Sequence, residues 1–320
     1  MRYPLRSFSS WLAGLGTVLL CTHALAQQYP SKPVQILVSL PAGTGTDILA
    51  RTMAQALDSK FGQRFLVVNR EGNGVMVAAA ALASAPADGY TVAILPSTIM
   101  TVQLHRDKPT VYKSNTFVGV CQTFDNVLFV GVSANSQHKD LPGLLSYAKA
   151  NPGKLKFATS GVASAPHLAG AQLFQQAGVQ VTDVPYRGET AYLPNLLSGD
   201  IDLGAVSANL IATQKGLRPL AVFARERLKA YPNVPTTAEY GYPVSTLAYF
   251  GLWIRSDAPA PVIATLDSAC RDVVNSPAFT EAADKQFVGA TYLNRQAFNA
   301  RVDEDSVVTE KLLRLLKLAE

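Results

Sequence analysis

Cysteine is scarce in this chain: three among 320 residues, at positions 21, 121 and 270. Apart from Cys21 and His23 in the N-terminal segment, the cysteines and the four histidines are widely spread, so no Cys/His set has the spacing of a zinc site. The 28 lysines and arginines nowhere cluster with interleaved aromatics, which argues against a nucleic-acid surface. A Gly-x-Ser-x-Gly elbow is missing, and Ser160 or Ser164 with His167 would crowd one helix start with no clear orienting acid in the sequence. A serine hydrolase is therefore disfavoured. Downstream of the first 26 residues no apolar run is long enough for a membrane span.

What is present begins with an export signal. Arg2 and Arg6 form a positive end, residues 11–21 an apolar run, and Ala24-Leu25-Ala26 a small-x-small cleavage site. Cleavage after Ala26 and export to the periplasm are expected. Cys21 raises a lipoprotein reading, but Leu20 before it is bulkier than the small residue such a site uses. Removal of the signal leaves 26 basic against 23 acidic side chains, a mild net charge of about +3. Cys121 and Cys270 remain; their wide separation and apolar flanks suit two buried thiols at least as well as a bridge formed after export. The roughly 290 remaining residues suffice for two domains of ordinary size.

Residues 34–57 read as strand, glycine-rich turn and helix. Ile36, Val38 and Leu40 alternate as in a buried strand, and Pro41 stops the ladder because it has no N–H. Gly43 and Gly45 permit positive φ and close approach to the backbone; Thr46 and Asp47 are candidate N-caps. Such a turn points unpaired N–H groups outward from a helix start, the makings of an anion site. Strands over 64–69 and 90–95 and an Ala-rich helix over 75–84 complete a βαβαβ unit, which predicts a parallel sheet flanked by helices. Ligands in such sheets bind beyond the carboxyl ends of the strands.

Two apolar runs within 116–133, broken by Asp125-Asn126, suit a passage from one domain to another. The strand–helix alternation then restarts: strands over 155–158, 179–184, 201–206 and 217–223, with small-residue loops at 159–164 and 185–188. Ser164 suits an N-cap and Pro166 a first helical turn. Pro194 falls where a helix interior is expected, which predicts a late start or a kink. A strand over 247–254 and helices over 262–274 and 294–318 return the chain to the first half. The expected architecture is α/β, with a domain of 27–124 plus 247–320 and another of 125–246, two parallel-rich sheets enclosing a hinged cleft.

Several segments now carry a resemblance. Tyr29-Pro-Ser-Lys-Pro33, Pro41-Ala-Gly-Thr-Gly-Thr-Asp47, Asn69-Arg-Glu-Gly-Asn-Gly74, Ala87-Asp-Gly-Tyr90, Pro166-His-Leu-Ala-Gly170, Val184-Pro-Tyr-Arg-Gly188, Leu196-Leu-Ser-Gly199 and Pro232-Asn-Val-Pro-Thr236 follow in order. Together they resemble the Bug family, the periplasmic receptors of tripartite tricarboxylate transporters. The resemblance implies a two-lobed, type II-like periplasmic-binding-protein fold closing on a small carboxylate-bearing ligand, which it delivers to integral membrane subunits. It implies no enzyme activity, no cofactor and no metal; a monomer is expected. It also implies that the first loop and the Pro-Tyr-Arg-Gly loop face each other and hold the carboxylate by backbone N–H groups, hydroxyls and water. Departures are Thr44 among the glycines, and Glu71-Gly-Asn-Gly-Val75 in place of a Pro-Gly-Ala-Gly-Gly pattern.

The candidate ligand contacts follow from both readings. The first loop contributes Ala42, Gly43, Thr44, Gly45, Thr46 and Asp47, the last expected to shape the loop by bonding its own backbone. Ser97 and Thr98 follow a strand end. The second half contributes Ser160, Gly161, Ser164, His167, Tyr186, Arg187, Gly188 and Asn209. Arg187 is placed for a bidentate carboxylate contact or for solvent, and His167 for a structural hydrogen bond. Arg70 and Glu71 suit a surface pair, and Gly188→Asp is expected to abolish binding with little loss of fold. Two other functions compete. A periplasmic sensor input would use the same cleft. A dinucleotide oxidoreductase would use Gly43-x-Gly45 and Arg70, but Ile48 stands where such a fingerprint needs a small residue.

Overall fold

The computed structural model describes residues 29–72, 75–106, 110–224, 226–228, 230–244 and 249–319. The proposed signal segment, the tip of the 69–74 loop and the start of the expected strand at 247 lie outside the described residues.

The first half opens as β1 (Val34–Val38), α1 (Gly45–Phe61), β2 (Phe65–Asn69), α2 (Met76–Ser84), β3 (Thr91–Pro96), the short α3 (Thr98–Thr101) and β4 (Phe117–Asp125). There follow β5 (Leu128–Ser133), α4 (Leu141–Ala150), β6 (Lys156–Thr159), α5 (Ala165–Ala177), β7 (Thr182–Pro185), α6 (Glu189–Ser198), β8 (Leu203–Ser207), α7 (Ala208–Thr213) and β9 (Leu217–Val222). The chain ends with β10 (Tyr249–Arg255), α8 (Ala260–Val274), α9 (Pro277–Lys285), β11 (Gly289–Leu293) and α10 (Arg295–Leu315).

Two mixed sheets result, ordered β11-β4-β10-β3-β1-β2 and β7-β6-β8-β5-β9. Each contains a parallel trio, β2-β1-β3 and β7-β6-β8, because consecutive strands there are joined by crossover helices, α1 and α2 in the first and α5 and α6 in the second. The next neighbours, β10 and β5, run antiparallel, so the parallel pattern does not extend across either sheet. Only Asn126 and Val127 separate β4 of the six-stranded sheet from β5 of the five-stranded one. The same local order on either side of that link makes the two trios structural counterparts.

Local chemistry explains several boundaries. Strand β7 starts at Thr182 rather than 179, because the left-handed Gly178 and the Val179 N–H, bonded to the Phe174 carbonyl at 3.0 Å, still close α5. Helix α6 starts directly after Gly188 and carries Pro194 in its interior, so the expected late start is not observed. Helix α9 and strand β11 were not expected from sequence; Ser276, accepting from the Phe279 N–H at 3.3 Å, and Pro277 start α9. Cys121 on β4 and Cys270 on α8 form a disulfide across 149 residues, with Cα atoms 6.6 Å apart, which resolves the choice between bridge and free thiols.

Trp253 is buried in β10 and donates its indole N–H to the Leu95 carbonyl at 2.9 Å. Arg301 on α10 ties together the adjoining ends of β4 and β10, neighbouring strands of the six-stranded sheet. Its guanidinium donates to Gln122 Oε1 at 2.7 Å and Asp125 Oδ1 at 3.1 Å, and lies 3.8 Å over the Tyr249 ring. Asp305, one turn along, stands 3.8 Å from its Nε. Tyr249 and Asp125 are register partners, so one side chain grips both strand ends. Farther along α10, Leu312 and Leu313 pack with Val102, Ala163 and Leu168, an apolar contact that joins α10 to both sheets' helices.

Candidate functional site

Each parallel trio delivers three loops at its strand ends. In the first these precede α1, α2 and α3, with Thr44, Val75 and Ser97 as N-cap residues. In the second they precede α5, α6 and α7, with Ser164, Gly188 and Ser207 in the same positions.

Thr44 caps α1, not Thr46 or Asp47. Its hydroxyl donates to the Pro41 carbonyl at 2.8 Å and accepts from the Asp47 N–H at 3.4 Å. Thr46 and Asp47 are buried in the first turn. The Asp47 carboxylate turns back to accept the Gly43 N–H at 2.9 Å, and also accepts from Arg51 at 2.9 and 3.0 Å and from Asn69 at 2.9 Å. Asn69 in turn donates to the Leu40 carbonyl at 2.9 Å. Burial alone would push the Asp47 carboxyl up, but Arg51, the Gly43 N–H and Asn69 together hold it below the usual range. Asp47 is therefore a brace, spent entirely on the loop. Pro41, Ala42 and Gly43 stay exposed, and Gly43 has φ +83° with open space where a Cβ would project. Gly45 does not take positive φ. It is the first residue of α1, and its missing Cβ leaves room for the Gln286 side chain, whose Oε1 would lie 3.3 Å away.

At the second trio, Ser164 caps α5 by accepting the His167 N–H at 3.3 Å. His167 is buried, and its Nδ1 accepts the Ala163 N–H at 3.0 Å, which places the ring proton on Nε2, 3.6 Å from Asp183 Oδ2. Ala163 has φ +60°, so this bond pins a left-handed residue beside Ser160, Gly161 and Ser164. His167 acts on loop shape. Burial lowers its pKa, outweighing the attraction of Asp183, whose own carboxyl burial raises. A histidine whose folded pKa is depressed contributes stability above its ordinary value near 6.5, and that contribution is lost as the pH falls towards the folded value. The unfolding midpoint of the wild type relative to His167→Asn is thus expected to fall between pH 7 and 5.5. A difference that is flat or rises over that window would exclude a neutral, bonded His167.

The Tyr186 N–H donates to the Thr159 carbonyl at 2.9 Å, setting the two second-trio loops side by side. Its hydroxyl accepts from Asn195 at 2.8 Å and so is turned along α6. Arg187 is exposed and has no ion pair among the described residues. Gly188 has φ +97° and ψ 168°, again with open space at its Cβ position. Asn209 is exposed, Thr98 partly so, and Ser97 fully buried with its N–H on the Tyr249 carbonyl at 2.9 Å. Arg70 and Glu71 are exposed and form no pair with each other. Val75, where the resemblance has a glycine, takes φ +79°. Two residues were missed by sequence reasoning. Gln286 had no local signal; Glu189 had one, an acid directly after Gly188 at a helix start.

Comparison with known proteins fits this architecture. Residues 49–318 match the family described as the tripartite tricarboxylate transporter family receptor. Protein BugT of Bordetella pertussis is 31% identical over 284 residues, which are 87% of this chain and 86% of BugT. A TctC solute-binding protein from Polaromonas superposes with a TM-score of 0.79 at 28% identity, over 89% of this chain and 99% of that one. An R. palustris protein solved with adipate superposes at 0.77 and 26% identity, over 91% and 99%. Homologues of this kind are periplasmic binding proteins, and no helix among the described residues is long and apolar enough to cross a membrane. The chain belongs to the tripartite tricarboxylate transporter receptor family, the Bug and TctC proteins, whose members bind solutes and are not enzymes.

Proposed function

We propose that this receptor is exported, loses residues 1–26, and as a monomer captures a small carboxylate-bearing ligand for the membrane subunits of a tripartite transporter. Residues 27–124 with 247–320 form one lobe in this reading and 125–246 the other, with the carboxylate held between the loops at 41–47 and 185–188. The supporting observation is the pair of glycines, Gly43 and Gly188, each at positive φ with open space at its Cβ position, in loops that end parallel strands. Backbone N–H groups there meet a ligand without side chains intervening. Because Asp47 is neutralised by Arg51, its charge does not oppose an anion. The adipate-bound R. palustris relative is consistent with an acid as cargo.

A thermal-shift screen of the mature protein against mono-, di- and tricarboxylates tests this. Ligand at about 100 times its Kd adds about 2.7 kcal/mol of apparent stability; no shift by any small acid would refute the assignment. The variant suggested by sequence, Gly188→Asp, is a poor probe, since φ +97° strains any side-chain-bearing residue. Ser160→Asp is preferable: Ser160 is partly exposed and lies outside the left-handed region. Like charges ~5 Å apart at an effective dielectric near 20 repel by about 3 kcal/mol, so binding should weaken about 100-fold. Unchanged affinity would remove the 160–164 loop from the site.

A further inference from the structure

Glu189 is the first residue of α6, immediately after Gly188 of the proposed anion loop. Its carboxylate lies at the carboxyl end of β8, accepting the Ser207 N–H at 2.9 Å and the Ser207 hydroxyl at 2.6 Å. No cation pairs with it among the described residues. The counterpart N–H in the first trio, that of Ser97, goes instead to a neutral backbone carbonyl, that of Tyr249. At this counterpart position the second trio therefore carries a carboxylate where the first has a neutral carbonyl. A carboxylate offers about four acceptor positions. Ser207 fills two, and Glu189 as a whole is half-buried.

We propose that Glu189 sets ligand class: it favours carboxylates carrying a hydrogen-bond donor elsewhere on the molecule, an ammonium group above all, and disfavours dicarboxylates. This rests on the receptor reading above. A donor on the ligand completes the unfilled acceptor positions of Glu189, whereas a second ligand carboxylate meets a like charge with no cation between them. Arg187, exposed two residues earlier on the other side of Gly188, presents the opposite charge. One loop thus offers a cation and an anion, a pattern suited to a zwitterion. Burial raises the Glu189 carboxyl against the lowering effect of its Ser207 bonds, as for an acid lacking a cationic partner.

Hexanoate, 6-aminohexanoate and adipate, with the C4 and C5 series beside them, differ only at the far end and serve as probes in titration calorimetry. At the chain length that binds best, the wild type should rank amino acid above plain acid above diacid, with about tenfold or more between the extremes. Glu189→Gln keeps an acceptor and a donor for Ser207 while removing the charge, and should bring the extremes together by about tenfold. Ser207→Ala removes the hydroxyl bond but keeps the N–H bond and the charge, and should retain the wild-type ranking. An unchanged ranking in a folded Glu189→Gln, or a wild type that prefers the diacid, overturns the proposal while leaving the receptor reading intact. If none of these acids nor any other small acid binds either protein, the receptor reading itself fails and the proposal with it.

Discussion

Arg301→Ala is expected to lower unfolding stability by about 3–5 kcal/mol, the scale for removing one partner from a desolvated ion pair. Only 17% of the Arg301 side chain is exposed, against 21% for Asp125 and 8% for Asp305, so solvent screens the cluster poorly. Truncation takes the guanidinium away from the Asp125 and Asp305 carboxylates, and removes the planar group stacked on Tyr249. Most of the cost is the stranded charge, not the lost attraction. Asp125→Asn placed on top of Arg301→Ala should therefore recover part of the loss. Arg301→Lys should fall between, since an ammonium keeps the charge but loses the forked contact to Gln122 and Asp125. Denaturant midpoints at constant m-value check all three. A loss below about 1 kcal/mol would mark the cluster as an ordinary surface pair. Because Arg301 holds the end of β4, which leads directly into the 126–127 link, ligand affinity should change with stability even though Arg301 lies off the proposed contact loops.

Replacing Cys121 and Cys270 by alanine should cost about 2–5 kcal/mol, since the bridge closes a loop of 149 residues that the unfolded chain would otherwise explore. Both cysteines are buried, so alanine leaves small voids of its own as well. Reductant added to the wild type separates the contributions: it should reproduce the loss from the open loop without the voids. Binding should persist under native conditions, because the bridge joins β4 to α8 and not the loops proposed to hold the anion. Two titratable thiols in denatured, unreduced protein would show that the bridge is not formed. The bridge also fits an exported protein, whose compartment oxidises thiols.

Much of the fold was legible because its signals are local. Alternating apolar residues marked β1, β2 and β3, and the proline and glycine of 41–45 marked the turn between β1 and α1. The reading of Asp47 as a brace held for the same reason: its bond to the Gly43 N–H spans four residues. Errors arose where short-range alternatives were equal. Thr44, Thr46 and Asp47 are all acceptable caps by residue type, and only the path of the loop selects Thr44. Antiparallel β10 and β11 were harder still, because strand direction depends on which edge a distant segment reaches.

By itself, then, the sequence determined an α/β chain with two strand–turn–helix halves, glycine-bearing loops at strand ends and the motifs of a solute receptor. These are properties of residues within about a turn or a hairpin of one another. The pairing of Cys121 with Cys270, the Arg301 grip on two strand ends, Gln286 beside Gly45 and the carboxylate of Glu189 on Ser207 were decided only by the tertiary structure. Each joins residues 18 to 241 positions apart. Such contacts follow from how the sheets and helices pack, and packing is a property of the whole chain that no local pattern encodes.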